Sequence, residues 1–171
     1  MTAFGNNETT WERLDYRILR NSPVALYWNS EIWQKHIKWF EQNGYNIVKL
    51  DAEKWSSERL FHEDIEKGLQ FPEYYGMNLD ALNDCLRDID FSDCDGLVIA
   101  IKRYDSFQKK FPETAQIIID IIAGNAWNHL IFGKRLVALI QTDQANARFE
   151  PVGGRPVMWN PEEWLNSKRG L

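Results

Sequence analysis

Cysteine is scarce in this chain: its 171 residues include only Cys85 and Cys94. Two thiols make no disulfide framework and match no metal-binding spacing, and they suit a reducing compartment. No run of eighteen apolar residues occurs, which excludes a membrane-spanning helix. Histidine appears three times, as His36, His62 and His129, in separate segments with no catalytic motif beside any of them. Each is expected to be structural or exposed. A phosphate-cradling loop is missing too, because Gly153-Gly154 is flanked by proline and arginine instead of opening a helix. Basic residues do not predominate: 20 Lys and Arg against 25 Asp and Glu give a net charge of −5 and a pI near 5.3. That balance argues against direct nucleic-acid binding and leaves room for a basic protein partner. The opening residues, Met1 to Thr10, contain neither a basic nor an apolar segment, so no secretory leader is expected and the cytoplasm is the expected location.

What is present is aromatic and apolar. Hydrophobic residues make up 44% of the chain, with eight Trp, six Tyr and nine Phe, too many for a disordered polymer and suited to one globular domain over 1–171. There are no repeats and no low-complexity tract. Residues 1–22 fit two readings: Leu14, Tyr16 and Ile18 alternate as in a strand, while Trp11, Leu14 and Ile18 also fit a helix; a short strand is preferred. Residues 24–28 form a strand between turn-rich flanks. Ser30 can cap a helix from Glu31 to about Asn43, ended by Gly44. Residues 45–50 form the next strand, and a right-handed crossover is expected to set strand 24–28 beside it. Ser56 or Ser57 caps a helix with Leu60, Phe61, Ile65 and Leu69 facing inward. The apolar run 96–101 predicts a strand covered on both faces. A helix is expected from Thr114 to about His129 and a strand over 136–141. Val152 to Arg155 could turn an edge hairpin. Asn160-Pro-Glu-Glu163 has the N-cap, Pro and Glu of a helix start.

The densest signal lies at 71–86, Phe-Pro-Glu-Tyr-Tyr-Gly-Met-Asn-Leu-Asp-Ala-Leu-Asn-Asp-Cys-Leu. Pro72 stiffens a turn, and Gly76 can take a backbone conformation closed to other residues. Asn78 caps a helix whose Leu79, Leu82, Leu86 and Ile89 repeat as a buried stripe. Asp80, Asp84 and Asp88 follow another line of that helix, one turn apart, where like charges repel. Residues 71–95 contain seven acids and one base, a net charge of −6 beside −5 for the whole chain. The negative charge is concentrated here. By pattern alone this is either a solvated helix face or an acidic binding surface flanked by tyrosines, the residue type that anchors interfaces.

Pro-Glu-Tyr-Tyr-Gly-x-Asn-Leu-Asp-Ala-Leu-x-Asp-Cys-Leu closely resembles the core motif of the barstar family, intracellular inhibitors of barnase-type ribonucleases. The order of elements over about 45–142 is similar as well. The resemblance implies an α/β fold with a small parallel sheet of three core strands in sequential order, packed with helices. An N-terminal strand–helix unit (1–44) and a C-terminal tail with a short helix (143–171) would extend it. It also implies a basic ribonuclease or nuclease toxin as partner, with aspartates standing in for substrate phosphates. Asp84 would be the principal phosphate mimic and Asp80 would pair with another base, while Tyr74, Gly76 and Asn78 pack over the nuclease site. The implied surface comprises Tyr74, Tyr75, Gly76, Asn78, Asp80, Asn83, Asp84, Arg87 and Asp88. Two positions depart from the family: Asn83 replaces a tryptophan and Met77 a glutamate. A barstar-like module with a non-nuclease partner is the alternative. No chemistry, cofactor, metal or membrane contact is implied. As rival readings, Asp80 and Asp84 as a general acid–base pair lack a substrate cleft, three aspartates on one helix face offer too few oxygens for calcium, and acidic neighbours make Cys85 a poor nucleophile.

Overall fold

Two near-continuous apolar runs, Gly96–Lys102 and Leu136–Gln141, need cover on both faces, and they sit inside a sheet. The computed structural model describes residues 3–91 and 93–171. Its strands are β1 (Val24–Tyr27), β2 (Tyr45–Asp51), β3 (Gly96–Lys102), β4 (Leu136–Gln141) and β5 (Met158–Trp159). They form one sheet in the order β2-β3-β4-β1-β5, with every neighbouring pair parallel. The helices are α1 (Glu8–Glu12), α2 (Leu14–Leu19), α3 (Ser30–Gln42), α4 (Glu58–Leu69), α5 (Leu79–Asp88), α6 (Tyr104–Lys110) and α7 (Pro112–Ile131). The protein is an α/β fold.

Successive strand residues point to opposite faces, and the two faces carry separate cores. Leu97, Ile99 and Ile101 of β3 join Phe61 and Ile65 of α4, Leu82 and Leu86 of α5, Phe107 of α6 and Ile118 and Ile122 of α7. Val98 and Ala100 face the other way, with Leu14 and Ile18 of α2 and Trp33, Ile37 and Phe40 of α3. The N-terminal segment therefore supplies the cover for the second face.

The strand order corrects the expected neighbour of β1. It pairs with β4, Ala25 opposite Leu139, and not with β2. Right-handedness of a crossover fixes the face on which its helix lies, not how many strands it skips. The chain steps β2, β3, β4 in one direction with helices on one face, then β1 reaches β2 across two strands with α3 on the other. Among the described residues the sheet has five strands: β2, β3 and β4 stand side by side in sequential order, β1 extends the sheet as expected, though beside β4, and β5 adds a fifth strand.

Other expectations change locally. Residues preferred as a strand within 1–22 are the helices α1 and α2, with Asn7 accepting from the Thr10 N–H and Leu14, Ile18 and Leu19 buried at helical spacing. The cap of α3 is Asn29, whose carbonyl oxygen accepts from the Glu31 and Ile32 N–H groups, not Ser30. Ser57 caps α4 as expected, but Leu60 is exposed. Helix α6, with Tyr104 and Phe107 buried, was not foreseen.

Residues after β4 strap the molecule. Gln108 and Gln116 donate to the backbone oxygens of Arg148 and Glu150, and the Gly153 N–H donates to Asp120. Gly153 has φ +53, and a Cβ there would lie 2.9 Å from the Trp127 ring, so this crossing needs glycine. Val152 and Arg155 make an isolated antiparallel bridge, after which β5 pairs with β1. The helix start read at Asn160–Glu163 is a turn, and a short 3-10 helix follows at Asn166–Arg169. The Asn160 N–H is engaged by the Leu26 oxygen. The Glu163 carboxylate turns away to accept from the Trp28 and Asn29 N–H groups at 3.1 and 2.8 Å. Asn160 Oδ1 still accepts from the Glu162 N–H at 3.0 Å and closes a local turn, while the Glu163 half of the capping pattern serves the start of α3 instead of a new helix.

Candidate functional site

The loop between α4 and α5 is built from the end of α4. Gln70 takes a left-handed conformation, and the Gln70 and Phe71 N–H groups both return to the Glu66 oxygen. Pro72 then starts a turn closed by the Tyr75 N–H donating to its oxygen at 2.8 Å. Within that turn the two tyrosines separate. Tyr75 is 5% exposed; its hydroxyl is hydrogen-bonded to His62 Nδ1 at 2.5 Å and its ring lies 5.0 Å from that of Phe71. Tyr74 is 84% exposed. Tyr75, counted above with the partner-binding residues, is thereby the loop's internal anchor, and Tyr74 is the side chain offered to solvent.

The loop backbone departs from expectation at one position. Beyond Gln70, the left-handed residue of the loop is Met77, with φ 53, and not Gly76. Gly76 answers to space: a Cβ there would come within 3.1 Å of the Asn78 amide nitrogen and 3.4 Å of the Ala81 Cβ. Asn78 is the cap of α5, its side-chain oxygen accepting from the Ala81 N–H at 2.8 Å while its amide donates to the Gly76 oxygen. Leu82 and Leu86 are fully buried, and Leu79 and Ile89 are half-buried against the same core. Burying each of the two leucines contributes roughly 1.5–3 kcal/mol.

The buried face of α5 fixes the direction of the other. Asp80, Asp84 and Asp88 are exposed along it. Arg87 reaches both Asp84, at 3.0 Å, and Asp88, at 3.1 Å, relieving part of their repulsion while the face stays negative. Asp80 has no ion pair among the described residues. Asp84, Cys85 and Asp88 form one wall of a groove of about 330 Å³, and Pro72 and Tyr74 form the other. Burial, then the charges of Asp84 and Asp88, push the Cys85 thiol above its usual range, so it stays protonated. A groove with carboxylates on one side and a phenol ring on the other suits a cationic side chain. Asp80 and Asp84 project from one helix into solvent and do not face each other across a cleft. Among the described residues no group of three or more His, Cys, Asp or Glu could hold a metal ion, and no helix is long and apolar enough to cross a membrane.

Three distant side chains brace α5 and the loop before it, and sequence reasoning did not assign them this work. Asn125 of α7 donates to Asn83 at 2.9 Å, and His129 Nε2 donates to the Leu86 oxygen at 2.8 Å near the helix end. His62 holds Tyr75, as described. Asn83 is thus tied to α7 as well as exposed. Their partners lie 42, 43 and 13 residues away, so no local pattern marks them. The third histidine, His36, lies elsewhere, between the Tyr27 hydroxyl and Glu162.

Burial holds the His62 imidazole below its usual range, outweighing the opposing charge of Glu58. His36 is lowered too, by burial against the pull of Glu162. Because the folded values lie below the unfolded one, the unfolded chain binds protons first as pH falls through about 6.5. Stability is therefore full above that pH and declines below it. Urea midpoints at pH 7.5 and 5.5 should show the drop, and His62→Gln should make it smaller. An unchanged drop in the variant would show that His62 does not contribute.

Comparison with known proteins bears on this region. A family model described as Barstar (barnase inhibitor) matches residues 45–137. A Bacillus subtilis (strain 168) protein named "Putative ribonuclease inhibitor YrdF" is 46% identical over 39 residues, 23% of this chain and 43% of that protein. The chain thus spans less than half the length of that curated relative. The family match opens with β2, closes inside β4 and takes in the tyrosine loop, α5 and the α7 residues that brace it. More than half of the sequence is covered, and the chain belongs to the barstar family.

Proposed function

We propose that this protein is a ribonuclease inhibitor that blocks its partner's active site with Tyr74 and the acidic face of α5. The observation that carries this reading is the braced, outward display of Asp80, Asp84 and Asp88 beside an exposed tyrosine, at the centre of the chain's negative charge. A site that binds RNA phosphates offers a preorganised positive hole, and carboxylates fill it without presenting a cleavable bond. Such a patch also steers encounter, towards about 10⁸–10⁹ M⁻¹s⁻¹ at low salt. Membership of a family described as barnase inhibitors supports a nuclease partner. The role would be that of an immunity protein, acting in the cytoplasm against a nuclease toxin, with Asn78 and Gly76 shaping the loop and Arg87 positioning Asp84 and Asp88. It performs no chemistry.

Titrating a panel of barnase-type ribonucleases, barnase included, tests the reading. Activity of the cognate enzyme should fall linearly to zero at one inhibitor per enzyme. A stable complex that still cleaves RNA would overturn it. A basic partner other than a nuclease is the second reading, favoured by Asn83, which bonds to Asn125 where the family has a tryptophan; inhibition of no enzyme in the panel would select it. Tyr74→Ala should weaken binding by about 2 kcal/mol or more while leaving stability within about 0.5 kcal/mol. Unchanged dissociation kinetics would show that Tyr74 is no anchor.

A further inference from the structure

Far along the chain from the acidic loop, a pocket of about 330 Å³ opens between the end of α2 and the sheet edge formed by β5, with Arg17, Arg20, Ala25, Met158, Trp159 and Trp164 in its walls. We infer that this pocket binds a small phosphorylated ligand carrying a flat ring, of the nucleoside monophosphate class. Both arginines are exposed, and among the described residues neither has an ion-pair partner. The nearby carboxylates are engaged elsewhere: Asp15 by Arg13, Tyr45 and Arg135, Glu162 by Lys35 and His36, and Glu163 by the start of α3. Glu12 shares a neighbouring groove with Arg17 but makes no ion pair with it. On a chain of net charge −5, two like charges three residues apart with no counterion form a local positive site. Placement near a helix C-terminus favours each cation slightly, but it does not account for the aromatic wall. Guanidinium groups match phosphate oxygens in a forked geometry. Trp164, 61% exposed, offers a free ring for stacking, whereas the Trp159 ring is already covered by Arg169 at 4.1 Å. The volume is at the lower end for a small-molecule site, which suits one nucleotide. The overall negative charge opposes a long polyanion but not a single phosphate held by two local arginines.

This inference does not depend on the inhibitor reading. Calorimetric titration of the full chain with AMP and UMP is expected to show saturable binding. Adenosine and inorganic phosphate should each bind at least tenfold more weakly, since each lacks half of the recognised chemistry. The Arg17→Ala, Arg20→Ala double variant should lose at least tenfold in affinity for the nucleotide, and Trp164→Ala severalfold. These side chains are exposed and make no bonds that hold the fold, so unchanged thermal unfolding should accompany the loss. Ribonuclease inhibition by the same variants should be unaltered. No binding of AMP or UMP at millimolar concentration would overturn the assignment, as would equal affinity in the double variant. Phosphate binding as tightly as the nucleotide would remove the ring from the ligand, and much tighter binding of an oligoribonucleotide would point to a strand instead.

Discussion

Replacing Asp84 with alanine is expected to weaken partner binding by about 2–5 kcal/mol while leaving the protein as stable as before, within about 0.5 kcal/mol. The two effects separate because of where Asp84 sits. It is exposed on α5, so its removal leaves no cavity and no unpaired buried group. Its pair with Arg87 is a surface contact that contributes little, and its loss is offset by relief of repulsion from Asp80 and Asp88. In the complex the balance reverses: a cationic site closed over Asp84 would be left with desolvated, unpaired charge, which is the costly outcome. The loss should fall mainly on the dissociation rate. Asp93→Ala is the control. It is exposed outside the stripe and should mainly slow association at low salt. Equal small effects at both positions would return the stripe to a solvated helix face.

The largest effect on stability is expected at Glu163. Its carboxylate is fully buried and accepts from the Trp28 and Asn29 N–H groups and from the Asn160 amide at 2.6 Å. Arg169 donates to the backbone oxygens of Glu163, Trp164 and Ala145, clasping the same turn. Glu163→Ala would leave two backbone donors at the start of α3 without an acceptor and loosen the tail from β1. The expected cost is about 3 kcal/mol, read as a lower urea midpoint. Glu163→Gln keeps one acceptor oxygen and should cost less. Inhibition by the folded fraction should be unchanged, since Glu163 lies outside the motif helix and its loop. A loss below about 1 kcal/mol in the alanine variant would show that the tail does not need this carboxylate.

How far the sequence could be read depended on how local each cause was. Asn78, Leu82 and Leu86 define α5 within eleven residues, and the cap and buried face stand as expected. The apolar runs of β3 and β4 were equally legible. The neighbour of β1 was not, because the register of residues 24–27 against 138–141 leaves no trace in either segment. The two tyrosines show the limit within a single motif. Tyr74 and Tyr75 are the same residue type in the same turn, and His62, 13 residues before Tyr75, decides which one is buried. At Asn160–Glu163 the local rule was sound, but tertiary partners overrode it: Leu26 took the Asn160 N–H, and α3 took the Glu163 carboxylate. The helices of residues 8–19 were hidden by a pattern that fits both periods, and burial against the second face of the sheet selects the helical one.

Competition against a non-cleavable oligonucleotide analogue bound in the active site of the cognate ribonuclease tests the central claim most directly. If the acidic face of α5 and Tyr74 occupy the site where RNA phosphates bind, the two ligands exclude each other. The apparent affinity of the inhibitor should then fall in proportion to analogue occupancy. A ternary complex of enzyme, analogue and inhibitor, formed with undiminished affinity, would contradict the account.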